Sequence, residues 1–169
     1  MLRRTVRKLA NFCGWLAAAF LAGIAVATAI QIVARQFGRP VETTELSGFF
    51  LAAATFLALA HTFVMGGHVR LALVADFAPK TLRRAFEIWA CVFAALTVGY
   101  AAWHVTAFTY DTYRFGDLSP GLLAVPLWIP QSAICLGLWV MLLSILEQTT
   151  LVLSGNPADY ETNADSTVE

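Results

Sequence analysis

The chain has 169 residues, 59% of them hydrophobic and only 13% charged, with 11 basic and 11 acidic side chains and no net charge. A soluble domain carries roughly 25% charged residues, so the main solvent of this chain is lipid, and what the apolar runs leave over is too short for a folded enzyme domain outside the membrane. Zero net charge gives no sign of a nucleic-acid partner, and it conceals an asymmetry between the two sides of the membrane.

Four apolar runs, at about 9–34, 46–65, 86–110 and 127–153, each reach the roughly 20 residues needed to cross about 30 Å of hydrocarbon. The expected fold is an all-α membrane protein of four transmembrane helices. The first run follows Arg3, Arg4, Arg7 and Lys8 and contains Ala25-Val26-Ala27, which gives it the look of a secretory signal. Signal h-regions stop after about 7–15 residues, whereas this run continues to Ala34, so it is expected to stay as an uncleaved helix. Arg7 stands where a twin-arginine signal wants an apolar residue. Ala18 with Ala22, Ala25 with Ala29 and Ala54 with Ala58 have the four-residue spacing that lets helix backbones approach, within this chain or against another.

The first loop holds Arg35 and Arg39 against Glu42 and Glu45. Its shortness puts Arg35 and Glu45 at one depth, where a partly desolvated pair gains more than an exposed one; two separately solvated charges are the alternative. Between the second and third runs, residues 68–84 mix Val69, Leu71, Leu73, Val74 and Phe77 with Arg70, Asp76, Lys80, Arg83 and Arg84. That is too charged to span and too apolar to be freely solvated. A short segment lying in the membrane interface, broken near Pro79 and anchored by His68 and Arg70, is expected; an irregular loop with an early start to the third helix is the alternative. The third loop, Asp111 to Pro126, carries Gly116, Ser119-Pro120 and Gly121 as turn signals. It is a candidate contact for an external partner or an ordinary connector. Pro130 falls in the first turn of the fourth helix, where proline is tolerated, and residues 154–169 read as a disordered acidic tail.

Cytoplasmic loops retain Lys and Arg. The N-terminus and second loop hold 8 such residues and the first and third loops 3, so both termini are expected to face the cytoplasm. Trp and Tyr collect at headgroup level, and Trp15 and Trp89 fall at the inner boundary, Tyr110, Tyr113 and Trp128 at the outer one. Trp139 lies deeper, as a packing residue or a contact with another subunit.

Reactive groups are sparse. His61 lies toward the inner end of the second helix and His104 toward the outer end of the third, about 20 Å apart along the membrane normal. Two axial ligands of one haem need nearly the same depth. Cys13, Cys91 and Cys135 are unpaired in spacing. No metal, haem or other cofactor is expected. Glu45, Glu87 and Glu147 fall near helix ends, not at the midplane where an ion-coupled carrier acting alone would show a carboxylate. Thr28, Gln31, Thr55, Thr97 and Thr106 are expected to bond to backbone or a neighbouring helix.

A multispanning chain poor in sites reads as an accessory subunit, and at this point a resemblance becomes specific. Arg35-Gln36-Phe37, Glu45-Leu46-Ser47, Thr55-Phe56-Leu57, Gly67-His68-Val69-Arg70, Phe77-Ala78-Pro79-Lys80, Ser119-Pro120 and Val125-Pro126-Leu127-Trp128-Ile129-Pro130 follow the order found in a transporter family. The chain resembles the small permease (DctQ, or Q-type) subunit of tripartite ATP-independent periplasmic (TRAP) transporters over nearly its whole length except the tail. An acidic residue soon after the His-Val-Arg element is missing, since Asp76 comes later. The resemblance implies a scaffold for a large permease subunit that carries the substrate and sodium sites. A periplasmic binding protein would deliver an organic acid. Arg35, Glu45, His68, Arg70, Trp128 and Trp139 are the candidate residues for subunit contacts or for anchoring in membrane lipid. A haem- or quinone-associated membrane anchor and a small homodimeric exporter are the competing classes.

Overall fold

The structure, a computed structural model, describes residues 2–39, 41–65, 80–121 and 123–153. Four helices follow in order, α1 (Leu2–Gln36), α2 (Thr44–Val64), α3 (Lys80–Phe115) and α4 (Trp128–Leu153). Each contains a segment long and apolar enough to cross a membrane. Among the described residues the nearest thing to a strand is one isolated bridge, Leu118 to Pro126.

The helices overrun the apolar runs at several ends, because a helix stops where the backbone is broken and not where hydrophobicity fades. α1 extends back through Arg3, Arg4, Arg7 and Lys8, good helix formers that its axis can carry out of the hydrocarbon. α3 begins at Lys80, so the last part of the expected interfacial segment, Lys80 to Arg84, is its opening turn. The rest of that segment, with His68 and Arg70, lies outside the described residues, as does the acidic tail. At its other end α3 continues past Tyr110 to Phe115, giving 36 residues. Both α1 and α3 end on a glycine in the left-handed region, Gly38 (φ 70°) and Gly116 (φ 69°). There the amides of Arg39 and Asp117 reach back to the carbonyls of Ala34 (3.0 Å) and Thr112 (3.1 Å), which satisfies carbonyls the helix would otherwise leave open.

α1, α2 and α4 form a three-helix cluster, and α3 packs substantially only on α4. The cluster's core is built from small and medium side chains: Ala10, Cys13 and Ala17 of α1 meet Ala53, Leu57, Ala60 and Val64 of α2 and Val140 of α4. Without a hydrophobic force between helices in lipid, such small residues gain attraction by letting backbones come close. The buried stripe of α1 runs Val6, Ala10, Cys13, Ala17 and, further along, Ala27. That is one residue out of phase with the alanine pairs picked from spacing alone. Ala18, Ala22, Ala25 and Ala29 therefore face outward, while Ala54 is buried and Ala58 half-buried on α2.

Glycines mark the closest approaches. A Cβ on Gly14 would stand 2.7 Å from the His61 ring, and one on Gly23 would stand 2.9 Å from the Phe50 ring. On α4 a Cβ at Gly137 would collide with the carbonyl of Phe56 on α2, backbone against backbone.

Candidate functional site: the helix interfaces

Hydroxyl groups in the helices are mostly spent on the chain itself. Thr28, Thr55, Thr97 and Thr106 donate to the carbonyls of Ile24, Leu51, Phe93 and Ala102 at 2.6–2.9 Å, as expected from the sequence. Gln31 serves a neighbouring helix: its Oε1 accepts from Thr43 Oγ1 at 2.9 Å. Thr43, the residue before α2, makes no capping bond to its own helix. Its buried hydroxyl ties the start of α2 to α1 instead.

Arg35 is exposed in the last turn of α1. Glu45, in the first turn of α2, is half-buried, and its carboxylate lies against Gly121 rather than in an ion pair with Arg35. Gly121 belongs to a loop with internal order. Ser119 is buried, its amide donates to the Val125 carbonyl at 2.9 Å and its Oγ accepts from the Val125 amide at 3.1 Å. The Leu127 amide donates to the Asp117 carbonyl at 3.1 Å. The α3–α4 connection thus folds back over the start of α2. Turn residues signalled a loop there; its contact with Glu45 was not legible from them.

Trp128 and Trp139 both find partners on α3. The Trp128 ring meets Tyr113 edge-on, centroids 5.6 Å apart at 87°. The Trp139 indole N–H donates to Thr106 Oγ1 at 3.0 Å, and close by Thr109 Oγ1 and Cys135 Sγ are 3.2 Å apart. The two tryptophans pin α3 to α4, each keeping more than a third of its surface exposed.

Sequence reasoning placed Glu147 near a helix end but missed that it belongs to a buried polar group on the core face of α4. Ser144, Glu147 and Gln148 are all buried, one and two turns beyond the Gly137–Val140 contact with α2. Glu147 has a partner among its neighbours. On the facing helices Asn11 Oδ1 and His61 Nδ1 are buried without a hydrogen-bond partner. The available signal was positional: Gly137, Val140, Ser144 and Gln148 recur at steps of three and four, so a polar residue continuing that stripe had to enter the core. His104 differs from His61. It is exposed, on the side of α3 turned away from α4, with its ring 4.2 Å from that of Tyr100.

Among the described residues no group of three or more His, Cys, Asp or Glu side chains is placed to hold a metal ion. The fold and these interfaces define a polytopic helical membrane protein whose hydroxyl groups mostly bond within their own helix, with a few side-chain bonds joining one helix to the next. Residues 24–155 match the family described as tripartite ATP-independent periplasmic transporters, DctQ component, and the chain belongs to that family. The matched span runs from the second half of α1 to the end of α4, so the resemblance noted from short motifs holds from there through the fourth helix. The family is a transporter component and not an enzyme family. A comparison with curated proteins gave no match.

Proposed function

We propose that this chain is the small membrane subunit of a TRAP-type secondary transporter in a bacterial inner membrane. It braces a large permease subunit during sodium-coupled uptake of an organic acid brought by a periplasmic binding protein. Both termini face the cytoplasm, and residues 68–84 begin as an interfacial segment that leads into α3. The observation that carries the reading, beside family membership, is where the polar and apolar groups lie. Threonine hydroxyls and the Trp139 N–H are engaged within the bundle. The outward faces present large apolar side chains such as Phe12, Trp15, Ile30, Trp89, Leu96 and Trp103. A brace needs broad surfaces for lipid and partner and stiff internal packing; it has no need of an ionisable group at midplane.

Co-expression with a large permease subunit encoded beside this chain, should one be found there, and purification on a tag carried by this chain should recover both subunits, and vesicles should accumulate the organic acid only when both are present. Uptake by this chain alone would establish the exporter reading instead, and visible-range haem absorption the redox anchor. Arg35, Glu45, His68 and Arg70 serve this reading as anchors at the two membrane faces. Reversing Arg35 or Glu45 should lower the yield of the two-subunit complex. Alanine at both His68 and Arg70 should lower it while leaving membrane insertion intact; unchanged yield in either experiment removes those residues from the account.

A further inference from the structure

On α3 the face turned away from α4 is not uniformly apolar. Phe93, Thr97, Tyr100, His104, Phe108 and Asp111 recur at steps of three and four, which places them on one stripe of the helix. Off that stripe, Ala102 and Thr112 are buried. Phe93, Tyr100 and Phe108 are 60–70% exposed, and His104 is exposed beside Tyr100. The Thr97 hydroxyl is already committed to the Phe93 carbonyl. Neither the Tyr100 hydroxyl nor the His104 imidazole makes a hydrogen bond among the described residues.

These two groups sit inside the apolar segment Ile88–Phe115. His104 precedes Asp111, the next charged residue toward the loop end, by seven residues, which is about 10 Å of helix. Acyl chains offer no acceptor at that depth, and polar side chains in spanning helices almost always face protein or a water-filled cavity. A second copy of this chain, related by a two-fold axis along the membrane normal, would bring two Asp111 carboxylates into the same seam. A different helix carrying a hydrogen-bond acceptor has neither difficulty. Tyr and Phe on the stripe are the residue types enriched where proteins meet.

We infer that the Thr97–Tyr100–His104–Asp111 stripe of α3 is a docking seam for a transmembrane helix of the large permease, which places a carboxylate, carbonyl or hydroxyl oxygen against the Tyr100 hydroxyl and the His104 imidazole. The inference rests on the proposed function, from which it takes its partner. The seam gives α3, which among the described helices packs substantially only on α4, a second neighbour from another chain.

The test uses the full two-subunit complex in native membranes. A photo-crosslinking residue replaces Phe108 on the seam or, as control, Ile30 on α1. The seam probe should give an adduct with the large permease, and the α1 control should not. The Y100F/H104L double variant should lower recovery of the complex roughly tenfold, the effect of two lost interhelical bonds, and H104Q, which keeps a donor and an acceptor, should restore part of it in the Y100F background. Adducts of the seam probe with lipid alone or with a second copy of this chain overturn the seam. So does undiminished complex from Y100F/H104L. If the unsubstituted chain recovers no large permease at all, it is the proposed function that fails.

Discussion

The α2–α4 contact and the α3–α4 contact bind the same helix in different ways. At the first, Gly137 brings α4 so near α2 that its missing side chain leaves room only for the backbone of Phe56. At the second, a Cβ on Gly99 would rest 3.7 Å from Leu142, an ordinary van der Waals distance, and the helices are joined by side-chain bonds, Trp139 to Thr106 and Thr109 with Cys135. Close backbone packing tolerates almost no change of volume, because both backbones must move to relieve a clash. Side-chain bonds tolerate more, since they sit at the ends of rotatable chains. The three-helix cluster is therefore the rigid part of the molecule, and α3 is attached to it by contacts that can be lost singly.

The sharpest way to break that contrast is to place a methyl group at each glycine. Gly137→Ala should destabilise the detergent-solubilised chain by about 1–3 kcal/mol, the usual range for forcing extra volume into a packed core. Thermal unfolding followed by circular dichroism would report it. Gly99→Ala meets no such obstacle and gains helix propensity, up to about 1 kcal/mol, so it should be neutral or mildly stabilising. Equal losses from the two substitutions would show that α3 is packed as tightly as α2 and would refute the distinction.

A smaller effect is expected where a side chain, not a backbone, fills the glycine notch. Gly14→Ala pushes against the His61 ring, which can turn about its own bonds, so the loss should fall toward the lower end of the same range. In a His61→Ala background the added methyl has space. The double-mutant cycle should then give a coupling of at least about 0.5 kcal/mol, and strict additivity would mean that the ring and Gly14 do not touch in the folded chain.

The sequence made the four helices plain because hydrocarbon imposes a length and a composition that few other structures share. Their ends were harder to see, since Lys80–Arg84 and Asp111–Phe115 carry charged residues yet are helical, and among the described residues Gly38 and Gly116 mark the stops of α1 and α3. Which face of each helix turns inward was the least legible. On a helix that is apolar all round, hydrophobic periodicity loses its signal, and the alanine pairs of α1, whose spacing fits a partner in this chain or in another, could not say which stripe meets α2. Glycine proved the better guide, because Gly14, Gly23 and Gly137 each sit where another helix comes closest. Of the candidate residues, Trp128 and Trp139 are placed by contacts within the chain, and Glu45 meets a loop that is distant in sequence. No local pattern encodes such a meeting.

The mildest perturbation separates the contribution of one hydrogen bond from that of the ring that makes it. Trp139→Phe removes the indole N–H while keeping an aromatic ring against α3, and Thr106→Val removes the acceptor while keeping the shape of the side chain. Interhelical bonds in membranes average about 0.6 kcal/mol, so each substitution should cost roughly that much. The pair together should cost no more than either alone, because both delete the same bond. Since α3 depends on such contacts at its one neighbour, even this small loss should speed hydrogen exchange or proteolysis in α3 before it affects α1 or α2. Uniform loosening of all four helices would mean that α3 unfolds only with the cluster, and the division of the molecule into a rigid core and an attached helix would have to be given up.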